Sequence, residues 1–102
     1  MSVNKLNDTE FQQILSKEPK VVVKFFADWC GNCKLVAPKF DRLSQEVEGV
    51  SFIEINAEEN PEARKLAGVT NLPFFASFRD GQLVEGVATS RIEYVKEMAC
   101  GL

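Results

Sequence analysis

The 102-residue chain contains no histidine. This removes the usual imidazole base, every Cys/His nucleophile pair and the zinc sites that use histidine. Cysteine is scarce as well: three residues are too few for a disulfide-rich secreted scaffold, and in a reducing compartment a Cys-x-x-Cys pair is more often catalytic or metal-binding than structural. No apolar run approaches the roughly 20 residues of a membrane helix, and the opening MSVNKLNDTEF lacks the apolar core of a secretory signal. The chain therefore reads as cytoplasmic, with no membrane partner. Its formal charge is only -3, with acidic and basic residues interspersed, so no nucleic-acid stripe is expected either.

What is present is an ordinary globular composition, 45% hydrophobic and 26% charged, over a length that suits a single domain spanning residues 1–102. No repeat, linker or low-complexity tract divides it. Residues 7–18 read as a helix: Asn7 or Asp8 can cap it, Glu10 stands three after Asn7 as in a capping box, and Phe11, Ile14 and Leu15 share a face. Pro19 stops it. Residues 20–27 are near-continuously apolar, as expected of a strand covered on both faces, with Lys24 the one interruption.

Val36, Phe40, Leu43 and Val47 recur at helical spacing in residues 33–47, where Pro38 should kink the helix. A second buried strand follows at residues 50–56, then a short helix that Asn60 can cap and Pro61 can open. The grammar then changes to two strands, Phe74–Arg79 and Gln82–Ala88, joined by a tight Asp80-Gly81 turn. Ser90 and Glu93 have capping-box spacing before a last amphipathic helix ending at Gly101. An α/β first half followed by a hairpin and a helix implies a mixed sheet with helices on both faces. In such sheets the reactive site lies beyond the carboxyl end of a strand, where the next helix begins. Cys30 and Cys33, in the stretch FFADWCGNCK, fall at that junction.

Placing Cys30 at a helix start changes its chemistry. A free thiol with a pKa of about 8.5 is only roughly 3% ionised at pH 7, whereas unsatisfied N–H groups and the helix dipole lower such thiols to between about 3.5 and 7.5. A spacing of three puts Cys33 about one helical turn away, near enough to close a small disulfide and to attack a mixed disulfide on Cys30. Cys30 is then the attacking thiol and Cys33 the resolving one. Zinc would need two further ligands, and with only Cys100 left among the cysteines carboxylates would have to complete the site. Haem attachment requires a histidine where Lys34 stands. A purely structural disulfide would close too short a loop to stabilise the chain much by entropy.

At this point the chain resembles the thioredoxin family over essentially its whole length. VVVKFFADWCGNCK is similar to the family's second strand, active-site loop and kinked helix; FIEINAEENPEARKLAGV to the following strand and helix; NLPFF to the segment with the cis-proline; RDGQLVEGVA to the closing hairpin with its late glycine. The resemblance implies an α/β thioredoxin fold, with a central mixed five-stranded sheet flanked by four helices. It also implies a monomeric oxidoreductase that reduces disulfide-containing proteins, holds no metal or cofactor, and is itself reduced by a thioredoxin reductase, usually a flavoenzyme using NADPH. Trp29 matches the tryptophan before the first thiol, and Pro73 the proline facing the disulfide, expected cis. Trp29, Gly31, Leu72, Pro73, Val87 and Ala88 are expected to form a shallow apolar collar around Cys30, with the Leu72 backbone free to pair with an extended substrate. Gly86 marks either this surface or a bulge or close backbone approach.

Two positions depart from the family pattern. Asn32 stands where proline is usual, restoring a backbone N–H that can donate to the Cys30 thiolate and so favour the dithiol form; the expectation is a less reducing couple. Lys24 stands where a buried aspartate takes the proton of the resolving thiol, and a protonated lysine cannot do so. A cation about 6 Å from the thiols, at an effective dielectric near 20, would be worth about 2.8 kcal/mol, although pairing with Glu54 on the neighbouring strand would weaken this. Otherwise Lys24 snorkels to a rim and touches nothing catalytic. Cys100 is expected to be a partly buried small hydrophobe or a bystander thiol, and Asp28 and Lys34 solvated charges. The other readings are a more oxidising, isomerase-like or glutathione-coupled relative, and a non-catalytic binding module, against which the intact cysteine pair argues.

Overall fold

The computed structural model describes residues 3–102. Nine elements follow one another: β1 (Asn4–Lys5), α1 (Asp8–Lys17), β2 (Lys20–Phe26), α2 (Gly31–Glu46), β3 (Ser51–Asn56), α3 (Pro61–Ala67), β4 (Phe74–Arg79), β5 (Gln82–Ala88) and α4 (Ile92–Cys100). The five strands form one mixed sheet in the order β1-β3-β2-β4-β5. β1 and β2 flank β3 in parallel, and β4 runs antiparallel to both β2 and β5. This is the expected five-stranded, four-helix arrangement. The two-residue β1 has no hydrophobic alternation of its own and was not placed from the sequence; it forms because β3 offers an edge to pair with.

Alternation along β2 sorts the core into two layers. Val21, Val23 and Phe25 pack with Phe11, Ala63 and Phe78 under α1 and α3. Val22 faces the other way, with Phe40, Phe52, Phe75 and Val95 under α2 and α4. Edge-to-face contacts, Phe11 with Phe78 and Phe40 with Phe52, both at 5.5 Å, lock the layers. Helix α2 runs on through Pro38, whose exposed ring supplies no N–H for the Lys34 carbonyl one turn earlier.

The turns behave as their residues require. Asp80 and Gly81 adopt φ of 52° and 81°, positive at both positions as the twist of a two-residue hairpin demands. Asn7 and Glu10 form the full capping box. Two other capping expectations are corrected. Asn60 precedes α3 but does not cap it: its side chain accepts from the Asp8 amide at 2.9 Å and donates to the Asn56 carbonyl at 3.0 Å. Ser90 does not cap α4, because the last extended residue is Arg91; that shifts the box out of register, and Thr89 Oγ1 takes the Arg91 N–H instead.

Candidate active site

β2 ends at Phe26, and a turn in which the Cys30 amide donates to the Ala27 carbonyl at 3.1 Å delivers Cys30 to the N-cap of α2. Cys30 and Cys33 are joined as a disulfide with a Cα separation of 5.3 Å. Both are buried, against Ala27, Phe26 and Leu72. The Cys30 sulfur accepts the N–H of Cys33 at 3.2 Å. In this oxidised pair the donor is therefore Cys33 at the third helical position; the exposed Asn32, at the second, is not bonded to the sulfur. A sulfur placed as a helix N-cap sits where the orphan amides favour negative charge, which is what a nucleophilic thiolate needs.

The collar expected around Cys30 is divided. Trp29 is 66% exposed and outside the groove below, its indole N–H donating to Glu58 Oε2 at 2.6 Å. A shallow groove is lined by Asn32, Leu72, Pro73 and Ala88, with Asn71 and Arg91 adding polar edges. The Leu72-Pro73 bond is cis, as expected. The Leu72 N–H is occupied by the Asn71 side chain at 3.0 Å, so an incoming strand has to displace that local bond. Gly31 is exposed beside the pair.

Val87 and Gly86 are not part of this groove. Val87 pairs with Phe75 and packs into the layer under α2 and α4, because successive residues of β5 point to opposite faces. Gly86 reflects close approach: a Cβ there would lie 2.9 Å from the Phe74 ring and 3.4 Å from the Ala67 carbonyl. The bulge in β5 is elsewhere, since Ser77 pairs with Glu85 and Phe78 with Leu83, leaving Val84 as the extra residue.

Lys24 does not snorkel. Its side chain is 4% exposed, and its Nζ lies 3.2 Å from Glu54 Oε1, the expected partner and its register neighbour on β3. The ammonium also sits 5.6 Å from the centre of the Phe26 ring and 5.8 Å from that of Phe40. Lys24, Glu54 and Cys33 line one open pocket together with Asp28 and Lys34. Cys100 is exposed rather than partly buried, since α4 buries Val95, Met98 and Ala99 and Cys100 falls off that stripe. Among the described residues no group of three or more His, Cys, Asp or Glu side chains is arranged to hold a metal.

Sequence reasoning missed Glu58, Asn71 and Arg91. The available signal for Glu58 was the acidic turn after β3, a strand parallel to β2 whose carboxyl end lies at the same end of the sheet as the cysteine pair. Nothing local marked Asn71 or Arg91.

A buried disulfide at a strand-to-helix junction, capping the helix and packed against Leu72 of the cis Leu72-Pro73 bond, defines a thiol–disulfide oxidoreductase. Residues 2–98 match the model of the Thioredoxin family, and the chain belongs to that family. It is 38% identical over 84 residues to mitochondrial thioredoxin-3 of Saccharomyces cerevisiae, covering 81% of this chain and 66% of that protein. It is 36% identical over 81 residues to thioredoxin-1 of Schizosaccharomyces pombe, covering 79% of each. The crystal structure of oxidised mitochondrial thioredoxin 3 from S. cerevisiae superposes with a TM-score of 0.90 at 32% identity, over 98% of this chain and 95% of that one. The protein is thus a protein-disulfide oxidoreductase working through its Cys30–Cys33 couple.

Proposed function

We propose that this couple reduces disulfides of partner proteins in the cytoplasm, with the chain acting as a monomer, Cys30 attacking and Cys33 resolving. The observation that carries the assignment is the position of Cys30 as the N-cap of α2, its sulfur already accepting the Cys33 amide. The Cys30 thiolate attacks one sulfur of a substrate disulfide and forms a mixed disulfide, while the other sulfur leaves as a thiolate and takes a proton. Cys33 then attacks Cys30, closing the intramolecular disulfide and releasing the second substrate thiol. Two electrons pass to the substrate.

The substrate segment docks along Leu72, Pro73 and Ala88. A thioredoxin reductase returns the chain to the dithiol, drawing electrons from NADPH. Support for a reductase in general comes from a structure of the same fold, the complex of ferredoxin:thioredoxin reductase and thioredoxin f2.

The test is insulin-disulfide reduction with NADPH and thioredoxin reductase, then with glutathione as the only reductant. Turnover with the reductase is expected, and Cys30→Ser abolishes it. Turnover with glutathione alone selects the glutathione-coupled reading, which the exposed Asn32 at the second position of α2 favours. No turnover with either selects a binding module. Equal reduction potentials for the wild type and Asn32→Pro would remove Asn32 from the account.

A further inference from the structure

We propose that Glu54 is the proton acceptor for the Cys33 thiol, acting through water in the pocket the two residues share, and that Lys24 holds the carboxylate in place for this task. The proposal rests on Cys33 being the resolving thiol. In the resolving step Cys33 must lose its proton before its sulfur can attack Cys30, yet it is only 3% exposed. Lys24, the ionisable residue of β2 that lines the same pocket, is an ammonium with no lone pair to offer.

The pocket beside Cys33 supplies the missing acceptor. It encloses about 300 Å³, space for several waters at about 30 Å³ each. Two carboxylates line it, Asp28 and Glu54. Asp28 sits exposed on the loop before Trp29. Glu54 is half-buried and anchored at 3.2 Å by Lys24, which is itself held near the Phe26 and Phe40 rings. A carboxylate offers about four lone-pair sites, so one ion pair leaves capacity for a water.

The charges that face Glu54 are Lys24 from β2, Lys5 as its register partner on β1, and Asp28 and Lys34 across the pocket. Cations predominate among them, and Lys24 is placed to offset the thiolate that forms. The step balances: the Cys33 proton passes through water to Glu54, the Cys33 sulfur bonds to Cys30, and the Cys30-substrate bond breaks. The departing substrate thiolate then takes up a proton, and Glu54 returns its own to solvent.

The experiment follows decay of a mixed disulfide between Cys30 and a chromogenic thiol, from pH 6 to 9. Glu54→Gln is expected to slow resolution at pH 7 at least tenfold, with the deficit closing toward pH 9 as the thiol ionises unaided. The rate of the first attack, measured in a Cys33→Ser background, stays within twofold. Lys24→Met with Glu54→Gln, which leaves no unpaired buried charge, shows the same slow step if the single variant fails to fold. Exchanging the pair, Lys24→Glu with Glu54→Lys, restores the rate. Wild-type resolution across the whole pH range in the Glu54→Gln or the Lys24→Met/Glu54→Gln protein overturns the proposal. If Cys33→Ser does not trap the mixed disulfide, the error lies in the assignment of the resolving thiol.

Discussion

The carboxylate of Asp8, the first residue of α1, caps the start of α3: its Oδ1 accepts the Ala63 amide at 2.8 Å and its Oδ2 the Glu62 amide at 3.2 Å. The Asp8 amide in turn donates to Asn60, the residue just before α3. Two helix starts distant in sequence are thereby tied together, and α3, only seven residues long, gains an anion at its positive end.

Asp8→Ala should therefore cost about 1–2 kcal/mol, the usual loss on removing a helix cap. A urea midpoint at constant m-value measures it, and Asp8→Asn, which keeps one acceptor oxygen, should recover part of the loss. An unchanged midpoint for Asp8→Ala would show that water replaces the carboxylate at no cost.

Gly86→Ala places a methyl against the Phe74 ring, which is hemmed in edge-on by Phe25 at 6.3 Å. Overpacking of this kind costs about 1–3 kcal/mol. The thermal midpoint should fall by about 4–8 °C for each kcal/mol in a domain of this size. Because Phe74 adjoins the cis Leu72-Pro73 bond, insulin reduction should be followed in parallel with melting.

Glu58→Ala frees the indole of Trp29 from its 2.6 Å hydrogen bond. Stability should change by less than about 1 kcal/mol, since the bond is exposed. Trp29 is the only tryptophan in the chain, so its emission reports the change directly: acrylamide quenching should rise. Identical quenching in both proteins would mean that the bond does not persist in solution.

Tyr94 donates its hydroxyl to Glu85 Oε2 at 2.5 Å. That hydrogen bond and the negative charge of Glu85 hold the phenol protonated, raising its pKa above 10.0. It is the only tyrosine, so absorbance titration reads it alone, and Glu85→Gln should move it back toward the ordinary value. The sign of the linkage follows: a raised folded-state pKa contributes stability that is present below the unfolded value near pH 10 and lost as pH rises through the folded value. The wild type should therefore lose stability relative to Glu85→Gln only at strongly alkaline pH.

Much of the fold was legible because its signals are local. The apolar run of β2, the helical spacing of Val36, Phe40 and Leu43, and the Asp80-Gly81 turn each declare a period or a dihedral that neighbouring residues alone decide. The Lys24–Glu54 pair was legible for a different reason: a buried lysine requires a partner, and the adjoining strand carries one suitable carboxylate. Where the spacing rule is tolerant, reading failed by one residue. Ser90 has the right partner at Glu93, but the chain turns into α4 at Arg91, a choice made by the path of the preceding strand.

The sequence by itself determined the two thiols, their spacing, the strand before them and the helix after them, because thiol chemistry and helix polarity operate within a few residues. The tertiary structure alone decided which amides Asp8 caps, that Val87 turns away from the groove while Ala88 lines it, that Trp29 is held by Glu58, and that Glu54 shares a pocket with Cys33. These relationships join residues far apart in the chain. They depend on sheet order and strand register, and a shift of one residue in the register of β3 or β5 would turn Glu54 away from its pocket or exchange Val87 with Ala88 at the groove.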